Sequence, residues 1–339
     1  MNIATLNATA QAMVAKNRGI LAADESSGTI QKRFDAIKLP STEENRRTYR
    51  EMLFTAAPAQ AYISGVILYD ETIRQSTKAG EPFPAYLARH GILPGIKVDL
   101  GAKPLAGFPG ETMTDGLDGL RERLAEYAKL GAKFAKWRAV IDIGSGTPTR
   151  YAIDANAEGL ARYAALCQEA DIVPIVEPEV LMDGAHDLAR CEEVTNVVLD
   201  RVFSQLFAAR IALEGIVLKP NMVISGKKCP RQASPEEVAQ ATVRTLKRQV
   251  PAAVAGIAFL SGGQSSTEAT LHLSLMHAAG PLPWPTTFSY GRALQDDALH
   301  EWGGQPAKFE RGQQVFAKRA KLNGLAAVGA YQVSMESAA

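Results

Sequence analysis

The segment Gly215-Ile216-Val217-Leu218-Lys219-Pro220 places an amine directly after a short apolar run and directly before a proline. Such a run reads as a strand buried on both faces, and the proline, having no N–H for a ladder, predicts that the strand stops at Lys219. Burial at that point disfavours the charged form of a lysine, and a neutral amine attacks carbonyl carbon. Lys219 is therefore a candidate for Schiff-base chemistry. The same segment also accommodates a lysine that snorkels to water as its strand ends. The other strand ends decide between the two.

Eight apolar runs alternate with helical patterns: residues 19–24, 65–69, 95–99, 134–140, 173–177, 215–219, 256–260 and 286–289. The first is preceded by an amphipathic helix over residues 2–15 and followed by a turn at 26–29 and a short helix at 30–37. Capping boxes at Ser41 to Glu44 and Ser265 to Glu268 open two further helices, and Pro235 starts another. Long helices are expected over about 156–170, 186–210 and 308–323. The 103–114 stretch reads as a polar loop. An open doubly wound sheet has fewer strands and a glycine-spaced first turn, which Asp24-Glu25-Ser26-Ser27-Gly28 lacks. The expectation is an α/β fold, a (β/α)8 TIM barrel with an N-terminal helix, forming one domain over residues 1–339 with 324–339 as a mobile C-terminal tail.

In such a barrel the carboxyl ends of the strands share one face. They bring Asp24, Asp70, Lys97, Asp99, Lys136, Arg138, Glu177, Glu179, Lys219, Ser261, Ser289 and Arg292 to it. Charges at the ends of apolar strands are costly unless they face each other or a ligand. A ring of salt bridges accounts for some of them but leaves an excess of lysine. Alternation puts Lys136 and Arg138 on one face of their strand, and a nearby Lys136 ammonium would favour the neutral form of Lys219. Ser261-Gly262-Gly263 and Ser289-Tyr290-Gly291-Arg292 each leave a strand for a helix N-terminus, where free backbone N–H groups can meet an anion. Arg292 adds a guanidinium. Lys32, Arg33, Lys97 and Arg138 form a second cationic group, expected on the opposite arc. Two anion sites suggest a bisphosphate.

The formal net charge of +1 gives no reason to expect nucleic acid or membrane partners. No apolar run approaches a membrane span, and no signal-peptide pattern opens the chain. Cys167, Cys191 and Cys229 make no disulfide framework, so a cytoplasmic setting is expected. The five histidines fall outside the strand ends, and no metal site is expected.

Leu21-Ala22-Ala23-Asp24-Glu25-Ser26, Gly95-Ile96-Lys97-Val98-Asp99, Phe134-Ala135-Lys136-Trp137-Arg138 and Pro174-Ile175-Val176-Glu177-Pro178-Glu179 resemble class I (Schiff-base) fructose-bisphosphate aldolases. So do Leu218-Lys219-Pro220-Asn221-Met222, Phe259-Leu260-Ser261-Gly262-Gly263-Gln264 and Phe288-Ser289-Tyr290-Gly291-Arg292-Ala293-Leu294. The resemblance runs from about residue 19 to 304. It implies reversible cleavage of fructose 1,6-bisphosphate to dihydroxyacetone phosphate and glyceraldehyde 3-phosphate, as in glycolysis and gluconeogenesis. It implies an imine on Lys219, acid/base chemistry at Glu177, and assistance from Asp24 and Lys136, with Glu179 completing the catalytic set. Phosphate contacts are implied for Thr29, Arg33, Ser261, Gly262, Gly263, Ser289 and Arg292, with Ser26, Lys97, Arg138 and Gly291 around them. No cofactor and no metal are implied, and the partners are small sugar phosphates and further copies of the chain in a homotetramer. A Schiff-base lyase for another sugar phosphate, and a non-catalytic binding scaffold, are the competing readings. One departure stands out: animal members end in a tyrosine that helps move the enamine proton, whereas this chain ends Glu336-Ser337-Ala338-Ala339 with Tyr331 nearest. Enamine protonation is left to a slower step, to Tyr331 or to water.

Overall fold

The computed structural model describes residues 1–337. Among the described residues ten strands are formed: β1 (Gly19–Ala22), β2 (Ile63–Leu68), β3 (Leu93–Lys97), β4 (Ala102–Pro104), β5 (Thr112–Thr114), β6 (Phe134–Ile141), β7 (Val173–Val180), β8 (Val217–Leu218), β9 (Gly256–Phe259) and β10 (Thr286–Tyr290). The helices are α1 (Ile3–Met13), α2 (Ser27–Ala36), α3 (Glu43–Phe54), α4 (Asp70–Ile73), α5 (Phe83–Arg89), α6 (Leu120–Lys129), α7 (Arg150–Glu169), α8 (Leu188–Ala208), α9 (Pro235–Gln249), α10 (Ser266–Ala278), α11 (Arg292–Trp302) and α12 (Phe309–Ala326). Eight strands close a parallel barrel in the order β1-β10-β9-β8-β7-β6-β3-β2. The expected (β/α)8 architecture is the observed one.

Alternation along each strand sorts its side chains between the barrel interior and the helical ring. Ile20, Ala22, Ile67, Phe134, Val173, Ile175, Val217 and Ala258 fill the interior. Leu6, Ala10 and Met13 of α1 join the same cluster and close the amino-terminal end of the barrel. Leu21, Val66, Leu68, Ile96, Trp137, Val176, Leu218, Ile257, Phe259 and Phe288 face the helices instead. There Trp137 stacks on Tyr163 of α7 at 5.5 Å. The interior therefore continues upward at Asp24, Lys97, Lys136, Glu177 and Lys219, two residues beyond apolar or glycine positions on the same face.

Two prolines sit inside β7 without breaking it, and parity explains why. Val176 O accepts from Lys219 N at 2.8 Å, and Val180 N donates to Asn221 Oδ1 at 3.0 Å. Even-numbered residues of β7 thus turn their amides toward β8, which pairs only with Ile175 and Val176. Pro174 and Pro178 share that parity beyond the ends of β8, where no ladder bond is forfeited.

Several boundaries differ from expectation. The helix expected at 30–37 starts at Ser27, so the 26–29 turn is its cap and first turn. The box expected at Ser41 is a single cap: Thr42 accepts from Asn45 N, and an asparagine in that third position returns no bond. Ser234 and Ser265 both form complete boxes, with Glu237 and Glu268. The 103–114 loop contains the antiparallel pair β4–β5. The segment from residue 324, expected to be a mobile tail, begins inside α12 and stays docked over its described part. Tyr331 is buried, Arg319 grips Glu336 at 2.7 and 2.9 Å, and Ala338 and Ala339 lie outside the described residues.

Gly95 and Gly65 make room for the Phe134 ring inside the barrel; a Cβ on Gly95 would lie 2.2 Å from it. Gly95→Ala is expected to destabilise the chain by about 1–3 kcal/mol through overpacking. Gly159→Ala, in the middle of α7 with nothing within 4 Å of the new Cβ, is expected to stabilise it by roughly 0.5–1 kcal/mol. Urea midpoints for the two variants check both signs.

Candidate active site

The inward-facing charges at the carboxyl ends of the strands meet in one network. Lys219 Nζ, which follows β8, lies 3.0 Å from Glu177 Oε1 on β7. Lys136 Nζ on β6 lies 2.9 Å from Asp24 Oδ2, 3.3 Å from Glu177 Oε2 and 4.0 Å from Asp99 Oδ2. Lys97 Nζ reaches Asp99 Oδ1 at 3.4 Å, and Arg138 pairs with Glu179. Lys219 is 3% exposed and Glu177 also 3%, which rules out a lysine that snorkels to water. Four carboxylates here face four cations, so the excess of lysine expected from the strand ends is not found. Nor do Lys136 and Lys219 confront each other bare: Glu177 stands between them.

Burial opposes charge on Asp24 and Glu177, yet Lys136 and Lys219 outweigh it and hold both carboxyls below their ordinary range. Burial likewise works against the Lys136 ammonium, and Asp24, Glu177 and Asp99 overcome it, raising its pKa well above the usual lysine value. Glu177 Oε2 accepts no well-aligned hydrogen bond despite its ion-pair contact. That oxygen keeps a lone pair open for a proton.

At the Arg138–Glu179 edge of this network lies a cavity of about 620 Å³. Thr29 and Arg33 of α2 line it together with Arg138, Glu179, Ser261, Gly262, Gly263 and Arg292. Gly263 is required by both space and backbone, with φ +74° and a Cβ position 2.3 Å from Met182 Cγ, while a Cβ on Gly262 would press on the end of the Met182 side chain. Ser289 Oγ, fully buried on the inner side of β10, has no hydrogen-bond partner, as befits a group aimed at a ligand. Gly291 precedes α11 without any side-chain cap, which leaves the first N–H groups of that helix free beside Arg292. These observations fit an anion at the β9–β10 side of the mouth.

The second cationic group is divided differently from expectation. Closure sets β1 against β10, so Arg33 and Lys32 adjoin the β9–β10 turns; only Lys97 and Arg138, from β3 and β6, lie across the barrel. A Cβ on Gly291 would be 3.5 Å from the Arg33 guanidinium. Ser26 Oγ meets Thr29 Oγ1 at 3.1 Å at the start of α2. Asp70 leaves the site altogether. Its parity turns it outward, to Arg74 at 2.9 Å and the Tyr127 hydroxyl at 2.8 Å.

Sequence reasoning gave no role to Glu25 and Arg50. Glu25 bridges Arg33 at 2.6 Å and Arg50 at 2.7 Å, while Arg50 also donates to Ala23 O at 2.9 Å. Gln295 donates to Ala22 O at 2.6 Å and accepts from Tyr49. Together they fix the loop carrying Asp24 and aim Arg33. A signal existed in Arg50, a charge beside Tyr49, Met52 and Leu53 on the buried face of α3. Asn221, within the motif after Lys219, ties β7 to the β8 loop through Val180 N. Tyr331 does not line the mouth cavity; its hydroxyl donates to Glu336 Oε1 at 2.8 Å, and burial together with that bond raises its pKa.

The family model described as fructose-bisphosphate aldolase class-I matches residues 5–339. A probable fructose-bisphosphate aldolase class 1 of Xylella fastidiosa (strain Temecula1) is 58% identical over 333 residues, covering 98% of this chain and all of that one. Fructose-bisphosphate aldolase B of Gallus gallus is 53% identical, over 97% of this chain and 91% of its own. The structure of fructose-bisphosphate aldolase from Plasmodium falciparum, in complex with TRAP and a small-molecule inhibitor, superposes with a TM-score of 0.96 at 48% identity, covering 97% of this chain and 96% of that one.

Because Asp24 and Glu177 are held below their ordinary range, the unfolded chain takes up protons before the folded one does. Their contribution to stability is present above the unfolded carboxylate pKa of about 4 and is lost as pH falls through the folded values. Urea midpoints should therefore drop on acidification below about pH 5. Lys136→Met removes the cation both carboxyls lean on, and is expected to move that drop to higher pH and to cost about 3–5 kcal/mol.

Proposed function

The chain belongs to the class I fructose-bisphosphate aldolase family, and on that footing we propose that Lys219 is the residue that captures substrate. Its reaction is the reversible aldol cleavage of fructose 1,6-bisphosphate to dihydroxyacetone phosphate and glyceraldehyde 3-phosphate. The observation that carries the assignment of roles is the buried Glu177 carboxylate, 3.0 Å from the Lys219 amine and 3.3 Å from the Lys136 amine.

Lys219 must shed a proton before it can attack, and Glu177 is placed to take it. The amine adds to the C2 ketone to give a carbinolamine. Glu177 returns a proton to the departing hydroxyl, water leaves, and a protonated imine remains. Asp24 removes the proton of the C4 hydroxyl, the C3–C4 bond breaks, and its electron pair flows into the imine to form an enamine. Glyceraldehyde 3-phosphate departs. Protonation at C3 and hydrolysis of the imine release dihydroxyacetone phosphate and restore the amine. Lys136, anchored by three carboxylates, keeps Asp24 and Glu177 ionised in the free enzyme; Glu179 holds Arg138 toward the cavity. No step in this route calls on a metal or cofactor.

The phosphates are assigned to Ser261, Gly262, Gly263, Ser289, Gly291 and Arg292 on one side, with Ser26, Thr29 and Arg33 beside them, and to Lys97 and Arg138 across the mouth. Lys97 and Arg138 are paired within the interior network, to Asp99 and Glu179, whereas Arg292 and the backbone N–H groups of the rim stand outside that balance. Cations on both sides of one cavity favour a bisphosphate over a substrate with one phosphate. The assembly and setting proposed are those of the resemblance, a homotetramer acting in the cytoplasm. Light scattering at four chain masses checks the assembly.

Borohydride added with fructose 1,6-bisphosphate is expected to leave a covalent adduct on Lys219, read by peptide mass. An adduct elsewhere, or none, removes the assignment. Asp24→Asn is expected to retain trapping while cleavage falls by about 100-fold or more. Tyr331→Phe is expected to leave turnover within twofold and cost about 1 kcal/mol of stability, the value of its bond to Glu336. A large fall in turnover would return the enamine proton to that phenol.

A further inference from the structure

Lys227 belongs to none of the strand ends and carries no assigned role, yet it lines the same cavity as the glycine turn at Ser261–Gly263. Its backbone is fixed. Gly226 N donates to His186 O at 2.8 Å, Lys227 N to Met182 O at 2.7 Å and Lys228 N to Gly184 O at 3.0 Å. Those bonds stitch residues 226–228 to the segment that leaves β7. Gly226 can be no other residue without movement, since its Cβ would fall 2.3 Å from Gly184 O. The side chain then runs across the turn, and its Cε lies 3.0 Å from where a Cβ of Gly263 would be.

The cations around this cavity differ in how firmly they are held. Arg33 and Arg138 are locked to the buried carboxylates of Glu25 and Glu179. Lys227 pairs at 2.9 Å with Asp183, and both side chains are about half exposed, at 48% and 60%. An exposed pair of that kind is screened by water and weak, so its lysine can change partner at little cost. Asp183 also lines the cavity, where an unneutralised carboxylate would repel a phosphate dianion. Lys227 supplies the neutralising charge and sits within a side chain's reach of the anion-binding turn.

We propose that Lys227 is a specificity-determining residue: its ammonium moves from Asp183 to the substrate phosphate held on the Ser261–Gly263 turn. Asp183 acts as the resting partner that keeps this charge at the lip of the cavity. The inference rests on the aldolase reading of the site and adds to it a phosphate contact on the loop after β8.

The test compares wild type with Lys227→Met, Lys227→Gln, Lys227→Arg and Asp183→Asn in fructose 1,6-bisphosphate cleavage, with inorganic phosphate as competitive inhibitor. Loss of one charge-assisted contact should raise KM and the phosphate inhibition constant by about tenfold in Lys227→Met and Lys227→Gln while kcat stays within about twofold. Lys227→Arg should recover most of the loss, and Asp183→Asn should tighten phosphate inhibition. A residue that merely packs against Gly263 would be replaced by methionine without any change in phosphate inhibition, and that result overturns the proposal. A fall in kcat with KM unchanged overturns it as well. Borohydride trapping of wild type separates the two levels: an unlabelled Lys219 removes the reading of the site, whereas a labelled Lys219 with unaltered Lys227→Met kinetics removes only this residue's role.

Discussion

The structure depends on a single buried carboxylate, Glu177, shared by two amines. Everything around it serves to make that arrangement tolerable. An ion buried alone is costly, so the interior answers each acid with a base at 2.9–4.0 Å and closes the balance without help from solvent. The apolar half of the barrel beneath the network excludes water, which strengthens each of those attractions. Charge at one end and hydrocarbon at the other follow from the same alternation of side chains along the same strands.

This division of the barrel also divides the tasks. In the proposed mechanism the interior network holds the protons and the nucleophile, and being internally compensated it contributes little net field at the mouth. The rim supplies backbone N–H groups, the Ser289 hydroxyl and guanidinium groups for anions. Glycine at 263 is the condition for that rim, because its left-handed backbone and the Met182 side chain leave no place for a Cβ. On the proposed reading, catalysis and recognition meet in Lys97 and Arg138, which belong to the network and also face the cavity side of the mouth.

Much of this was legible in the sequence because it is local. Eight apolar runs gave the strands, and counting by twos from Lys136 placed Arg138 on its face and Trp137 on the other, which the barrel turns inward and outward respectively. Motif resemblance then placed Lys219, Glu177 and Asp24 together, where the structure brings them. Non-local facts were not legible. That β1 touches β10 follows from closure, and it sets Arg33 beside the turns after β9 and β10 instead of on the far side. Asp70 ends an apolar run as Asp24 does, yet opposite parity sends it outside. The Glu25–Arg50 pair joins a loop to a helix, and no periodicity announces it. Docking of the last described residues hinges on Arg319 finding Glu336 across a turn, which composition alone reads as loose chain.

The seating of α1 in the floor of the barrel has a consequence for traffic. With that end corked by Leu6, Ala10 and Met13, the two trioses share a single door. On the proposed route the fragment bonded to the enzyme is held until its imine is hydrolysed, so covalency as well as affinity sets the order of departure.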